Sequence, residues 1–145
     1  LPFDAAAEAR FAEARTALDF EPVTPCGTAS TMRVSTVALD RPDGTPRITV
    51  AVDAEGPLFL LSQSRSIRAF TQIPDGATYL HWTVRGTAVR GFDSPAGIGP
   101  AILYLRWEAD GVVYEFQGNP SNRFPSSTLR SLARANIERT VAASE

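Results

Sequence analysis

The sequence predicts an α+β domain: a largely antiparallel sheet of six or seven strands with a helix at each end, over residues 1–145. Three observations lead there. Runs of alternating apolar and polar residues recur between turn signals, which is the period of a strand with one buried face. Segments at both chain ends repeat their apolar residues at helical spacing instead. Near the end of the strand-rich part, Asp110-Gly111 joins two apolar-rich runs, and this dipeptide suits the type I′ turn, whose two central residues need positive φ. The register follows. Trp107 faces Tyr114, Leu105 faces Phe116, and Arg106 faces Glu115 as a cross-strand ion pair of about 0.2–1 kcal/mol.

Asp4 is placed to cap a helix to Leu18, with Ala7, Phe11, Ala14 and Leu18 on one stripe. Pro22 and Pro25 cannot continue it, so 20–25 reads as an extended strap, followed by a flexible stretch from Cys26 to Ser30. Thr31 to Leu39 alternates as a strand, with Met32, Val34, Thr36 and Ala38 on one face. It ends at the Pro42-Asp43-Gly44 turn signal. Arg47 to Asp53 and Leu58 to Ser62 complete an antiparallel meander. Ile67 and Phe70 are spaced for a short helical turn within 63–72. Ala77 to Arg85 is a strand with Leu80, Trp82 and Val84 on one face and Tyr79, His81 and Thr83 on the other. Gly86 marks a bulge or close approach before a strand from Thr87 to Phe92. A loop, 93–100, leads into the hairpin. After a polar linker, Ser126 or Ser127 caps a last helix to Ala142, whose stripe is Leu129, Leu132, Ala133, Asn136, Ile137 and Val141.

Composition limits the function classes. A net charge of −2 lacks the basic face that nucleic acid needs, so no nucleic-acid partner is expected. All fourteen basic residues are Arg, which with the abundant alanine reads as genome composition, not as a phosphate-binding surface. Cys26 is the sole cysteine and His81 the sole histidine. Neither an intrachain disulfide nor a Cys/His zinc site is therefore expected. No run approaches the roughly 18 apolar residues of a membrane span.

The polar residues give one cluster worth attention. Ser62, Ser64 and Ser66 with Arg65 and Arg68 come at and after the end of a strand, and hydroxyls with two guanidiniums can hold a phosphate by charge-assisted hydrogen bonds. The plainer reading is a solvated loop. His81, the sole histidine, points away from the core if Trp82 points in, which makes it a second binding candidate without a catalytic partner at motif spacing. The glycine-rich loop 93–100 lacks the pattern of a phosphate cradle, and the carboxylates form no acid–base pair. No catalytic residue, metal ligand or cofactor is assigned.

The order of short motifs resembles a domain of unknown function found in extracytoplasmic parts of bacterial membrane proteins, some of them similar to anti-sigma factors. The matching pieces are Phe20-x-Pro22-x-x-Pro25, Leu60-Leu61-Ser62-Gln63-Ser64 and Val84-Arg85-Gly86-Thr87-Ala88. They are followed by Leu105-Arg106-Trp107-x-x-Asp110-Gly111-Val112-x-Tyr114 and Leu129-x-x-Leu132-Ala133. Thr24 stands where a leucine is usual. The resemblance implies a non-enzymatic ectodomain that senses, binds or interacts with a protein or small ligand, with a membrane tether outside the given chain. The start at Leu1 without an initiator methionine fits that expectation. The alternative is a flavin-binding split barrel of the pyridoxamine-phosphate-oxidase type. That family is resembled by Val34-Ser35-Thr36-Val37, Gly44-x-Pro46, Leu58-Phe59-Leu60 and Ser66-Ile67-Arg68, with Arg68 on the FMN phosphate.

Overall fold

The computed structural model describes residues 1–28, 30–70, 72–97 and 99–143. Helix α1 (Ala5–Ala17) precedes strands β1 (Arg33–Asp40), β2 (Arg47–Asp53), β3 (Pro57–Ser64), β4 (Thr78–Val84), β5 (Thr87–Ser94), β6 (Ile102–Ala109) and β7 (Val112–Gly118), and helix α2 (Ser126–Ala143) closes the chain. The strands make one sheet in the order β1-β2-β3-β7-β6-β5-β4, with every pair antiparallel. It is two meanders joined where β3 meets β7. The link from β3 to β4 carries the chain from the middle of the sheet to its far edge.

One face of the sheet is the core. Ile48, Val50, Val52, Leu61, Leu103, Leu105 and Phe116 are all fully buried there, and Ala7, Ala14, Leu129, Ala133 and Ile137 of the two helices close over the same cluster. Alternation along β2 and β6 explains this, since each second residue points to one side. The β6–β7 hairpin has the expected register, with Leu105 opposite Phe116, Arg106 opposite Glu115 and Trp107 opposite Tyr114. Its turn residues Asp110 and Gly111 have φ of 52° and 72°. The Trp107 and Tyr114 rings stack at 5.6 Å, and the indole N–H donates to Thr140 Oγ1 on α2 at 2.7 Å.

Two buried amides fasten the strap. The Gln63 side chain accepts the Val23 N–H at 2.7 Å and donates to the Val23 C=O at 2.9 Å. Asn136 treats Cys26 the same way, at 2.8 and 3.3 Å. Extended backbone between two prolines has no ladder of its own, and these amides supply the partners a neighbouring strand would give. Cys26 itself is half-buried in this segment.

Several local expectations are corrected. A bulge between Val34 and Thr36 breaks the alternation of β1, so Val34 and Val37 are both buried and Thr36 and Ala38 are exposed. β3 runs on through Gln63 and Ser64, because Ser64 pairs with Arg47 on one side and Val113 on the other. No helical turn forms at Ile67 and Phe70 in the described part of 63–72. Arg106 instead holds the C=O of Ile67 at 2.5 Å. Arg85-Gly86 is a hairpin turn with φ of 49° and 82°, not a bulge. The close approach belongs to Gly91, where a Cβ would lie 1.8 Å from the carbonyl oxygen of Tyr104. The Asp4 side chain makes no capping bond and pairs with Arg33. Ser126 lies inside α2 and its hydroxyl donates to Asp93 at 2.5 Å. Ala29, Thr71 and Ile98, which fall in the anticipated flexible stretch, helical turn and loop, lie outside the described residues.

Candidate functional site

Both helices cover the inner face, so the other face of the sheet is left open apart from the segment after β3. A row of polar side chains crosses it. His81, Arg90, Arg106, Glu115, Ser62 and Thr49 are successive cross-strand partners from β4 to β2. The next row is aromatic: Tyr79 faces Phe92, and Phe92 stacks on Tyr104 at 5.3 Å. Phe70, arriving from β3, sets its ring edge-on against both Phe92 and Tyr104 at 5.9 and 5.3 Å. Residues 65–70 thus form a ridge on the open face. Beside it runs a groove of about 380 Å³ whose lining includes Phe70, Tyr79, Ala88, Arg90, Arg106 and Glu108.

The charges in this region are unevenly matched. Arg47 makes two hydrogen bonds to Asp40, at 3.0 and 2.5 Å, and that partner raises its pKa against the opposing effect of burial. The Arg106–Glu115 pair is longer, at 3.8 Å, and both side chains are largely covered. Burial pushes both toward their neutral forms. It lowers the Arg106 pKa, which the Glu108 charge opposes, and raises that of Glu115, which the Arg47 charge opposes. A contact of that length does not offset the desolvation. Glu115 also accepts the Tyr104 hydroxyl. The guanidinium of Arg90, exposed and directly opposite Arg106, has no hydrogen bond or ion pair to any described residue. Like charges in that relation repel.

The residues singled out in the sequence separate. Ser62 and His81 lie in the same transverse row, with three strands between theirs. The Ser62 hydroxyl meets that of Thr49 at 3.1 Å. Ser64 is buried, donating to the Pro46 C=O at 2.8 Å and accepting the Ser66 N–H at 3.3 Å. Arg68 is 83% exposed and lies 3.7 Å from Asp43. Of the group that would grip an FMN phosphate, the Ser62 and Ser64 hydroxyls are thus bonded within the protein and Arg68 is turned to Asp43. His81 is exposed beside Tyr79, 6.4 Å away between ring centres. Among the described residues, no three of His, Cys, Asp and Glu group as metal ligands.

Arg90, Arg106, Phe70 and Tyr79 were not anticipated as site residues. Their sequence signal was partial: Arg106 could be set against Glu115 through the Asp110-Gly111 turn. Bringing Arg90 opposite Arg106 depends on the β5–β6 pairing, whose connection carries no two-residue turn signal.

Comparison with known proteins adds no neighbour, since no family, curated protein or solved structure matches the chain. No helix among the described residues is long and apolar enough to cross a membrane.

Proposed function

We propose that this chain is a non-enzymatic binding domain that works outside the cytoplasm as part of a membrane-anchored protein. The observation that carries the binding reading is the asymmetry of the sheet. One face is sealed by two helices, while the other keeps a groove edged by aromatic rings and by a guanidinium without a partner among the described residues. A face built only for stability gains nothing from two arginines set opposite each other. The non-enzymatic part is supported by the commitments of the candidate hydroxyls, since Ser62 and Ser64 are bonded to Thr49 and Pro46. The extracytoplasmic, anti-sigma-like part rests on the order of sequence motifs alone.

Native mass spectrometry of the protein after incubation with small molecules extracted from its own cells tests the binding part. A retained adduct should disappear when Ala88→Trp fills the groove. An adduct that survives this change would place binding elsewhere and overturn the reading. For the location, protease added to intact cells should cleave the domain in the full-length protein. Complete protection, lost only on lysis of the cytoplasmic membrane, would overturn it.

A further inference from the structure

We infer that the open-face groove takes a small organic anion with a flat apolar body, its acidic group seated between Arg90 and Arg106. This rests on the binding reading above and adds the chemistry of the ligand. Opposed residues on neighbouring antiparallel strands stand with their Cβ atoms about 5 Å apart, so two guanidiniums rising from such a pair can both reach one carboxylate or phosphate. Arg106 is already aimed along the face by its bond to the Ile67 C=O at 2.5 Å. Arg90 lacks a partner among the described residues and lines the same groove. An anion there relieves the repulsion between them and gives Arg90 the hydrogen-bond acceptor it lacks.

The rest of the groove defines the body of the ligand. Phe70 and Tyr79 both line it, and Tyr79 is 50% exposed, a large ring left facing solvent. Ala88, two residues before Arg90 on β5 and opposite Thr83, lines the groove on the other side of the arginine pair and fills little of it. Flat, apolar material stacks well against such rings, and a guanidinium plane accepts it too. Glu108 lines the groove and Glu115 lies 3.8 Å from Arg106, so carboxyl groups already face the arginine pair. The balance favours a ligand with a single acidic group over a polyanion such as nucleic acid.

The test uses 2-naphthoate as the probe, with naphthalene-2-methanol as its neutral counterpart. Amide chemical shifts of the ¹⁵N-labelled protein report both site and affinity. Naphthoate should shift amides of 88–90 and 104–108 saturably, and bind roughly tenfold or more tightly than the alcohol. Arg90→Gln should erase that advantage. The Arg90 side chain bonds no other described residue, so this variant should keep the wild-type spectrum elsewhere, whereas an Arg106 variant would also release residues 67–68. Equal binding of the two probes in the groove overturns the anion inference and leaves the binding reading intact. Failure of naphthoate to shift any groove amide also overturns it. The adduct experiment with Ala88→Trp then decides the binding reading separately.

Discussion

Gln63 holds Val23 by both backbone groups, accepting its N–H at 2.7 Å and donating to its C=O at 2.9 Å, across forty positions of sequence. The amide is fully buried, so its partners are fixed by the fold and water cannot replace it. Leucine has a similar volume and neither hydrogen-bonding group. Gln63→Leu should therefore cost about 2–3 kcal/mol in urea unfolding, because it strands both groups of Val23. The strap should also become open to protease before the sheet unfolds. A variant as stable as the wild type, with the strap still protected, would contradict the latch.

Gly91 carries the sharpest single-site constraint. Its missing Cβ leaves room for the Tyr104 carbonyl, and a methyl group would sit 1.8 Å from that oxygen. Backbone in the middle of a ladder cannot yield without breaking the β5–β6 pairing. Gly91→Ala should abolish the folded state or lower the melting midpoint by well over ten degrees, as a loss of several kcal/mol does in a domain of this size. A midpoint within a few degrees of wild type would show that the two strands are not so closely set.

The sequence valued Arg106 only as one half of an ion pair. Its guanidinium also bonds the Ile67 C=O and reaches that of Arg68, at 2.5 and 3.4 Å, so it fixes the segment crossing the open face. Arg106→Ala should cost about 1–3 kcal/mol, above the value of the cross-strand pair alone. Leu105→Ala, on the buried face one residue away, should cost about 2–5 kcal/mol. Chemical denaturation separates them further. Faster hydrogen exchange confined to 66–70 is expected for Arg106→Ala, and uniform weakening for Leu105→Ala. The opposite assignment would reverse the two faces of β6.

Burial raises the Glu115 pKa in the folded protein, with Arg47 opposing. Just above the ordinary glutamate range the folded chain therefore keeps a proton that the unfolded chain has lost. Stability from this residue is present below the unfolded value and is lost as pH rises through the folded one. Compared with Glu115→Gln, which can still accept the Tyr104 hydroxyl, the wild type should lose relative stability as pH climbs out of the acidic range. Denaturant midpoints of both proteins, taken at matched pH values, give the difference. A gap that widens in favour of wild type with rising pH would mean that the pair with Arg106 outweighs desolvation.

Much of this architecture was legible in the sequence for a definite reason. Alternation and turn chemistry are local, and Asp110-Gly111 set the register of a whole hairpin, including the Arg106–Glu115 pair. The sequence was silent where a long-range contact decides. Ser35 gave no sign of the bulge that puts Val37 inside, and the pairing of β3 with β7 drew Ser64 into a ladder. The candidate site suffered most. Arg90 and Arg106 meet only because β5 pairs with β6, and Phe70 reaches the open face on a segment after β3 that forms no helix. The strap was expected, but the two amides that hold it read as one polar strand residue and one helix-stripe residue.

The central claim is that the open face of the sheet, beside the 65–70 ridge, is where this domain binds. Its most direct test is an amide-shift map of the ¹⁵N-labelled protein against the small-molecule fraction of the cells that make it, repeated with Ala88→Trp. Saturable shifts should cluster at 88–90 and 104–108 and vanish in the variant. Saturable shifts on α1, α2 or the strap that persist in Ala88→Trp would contradict the claim.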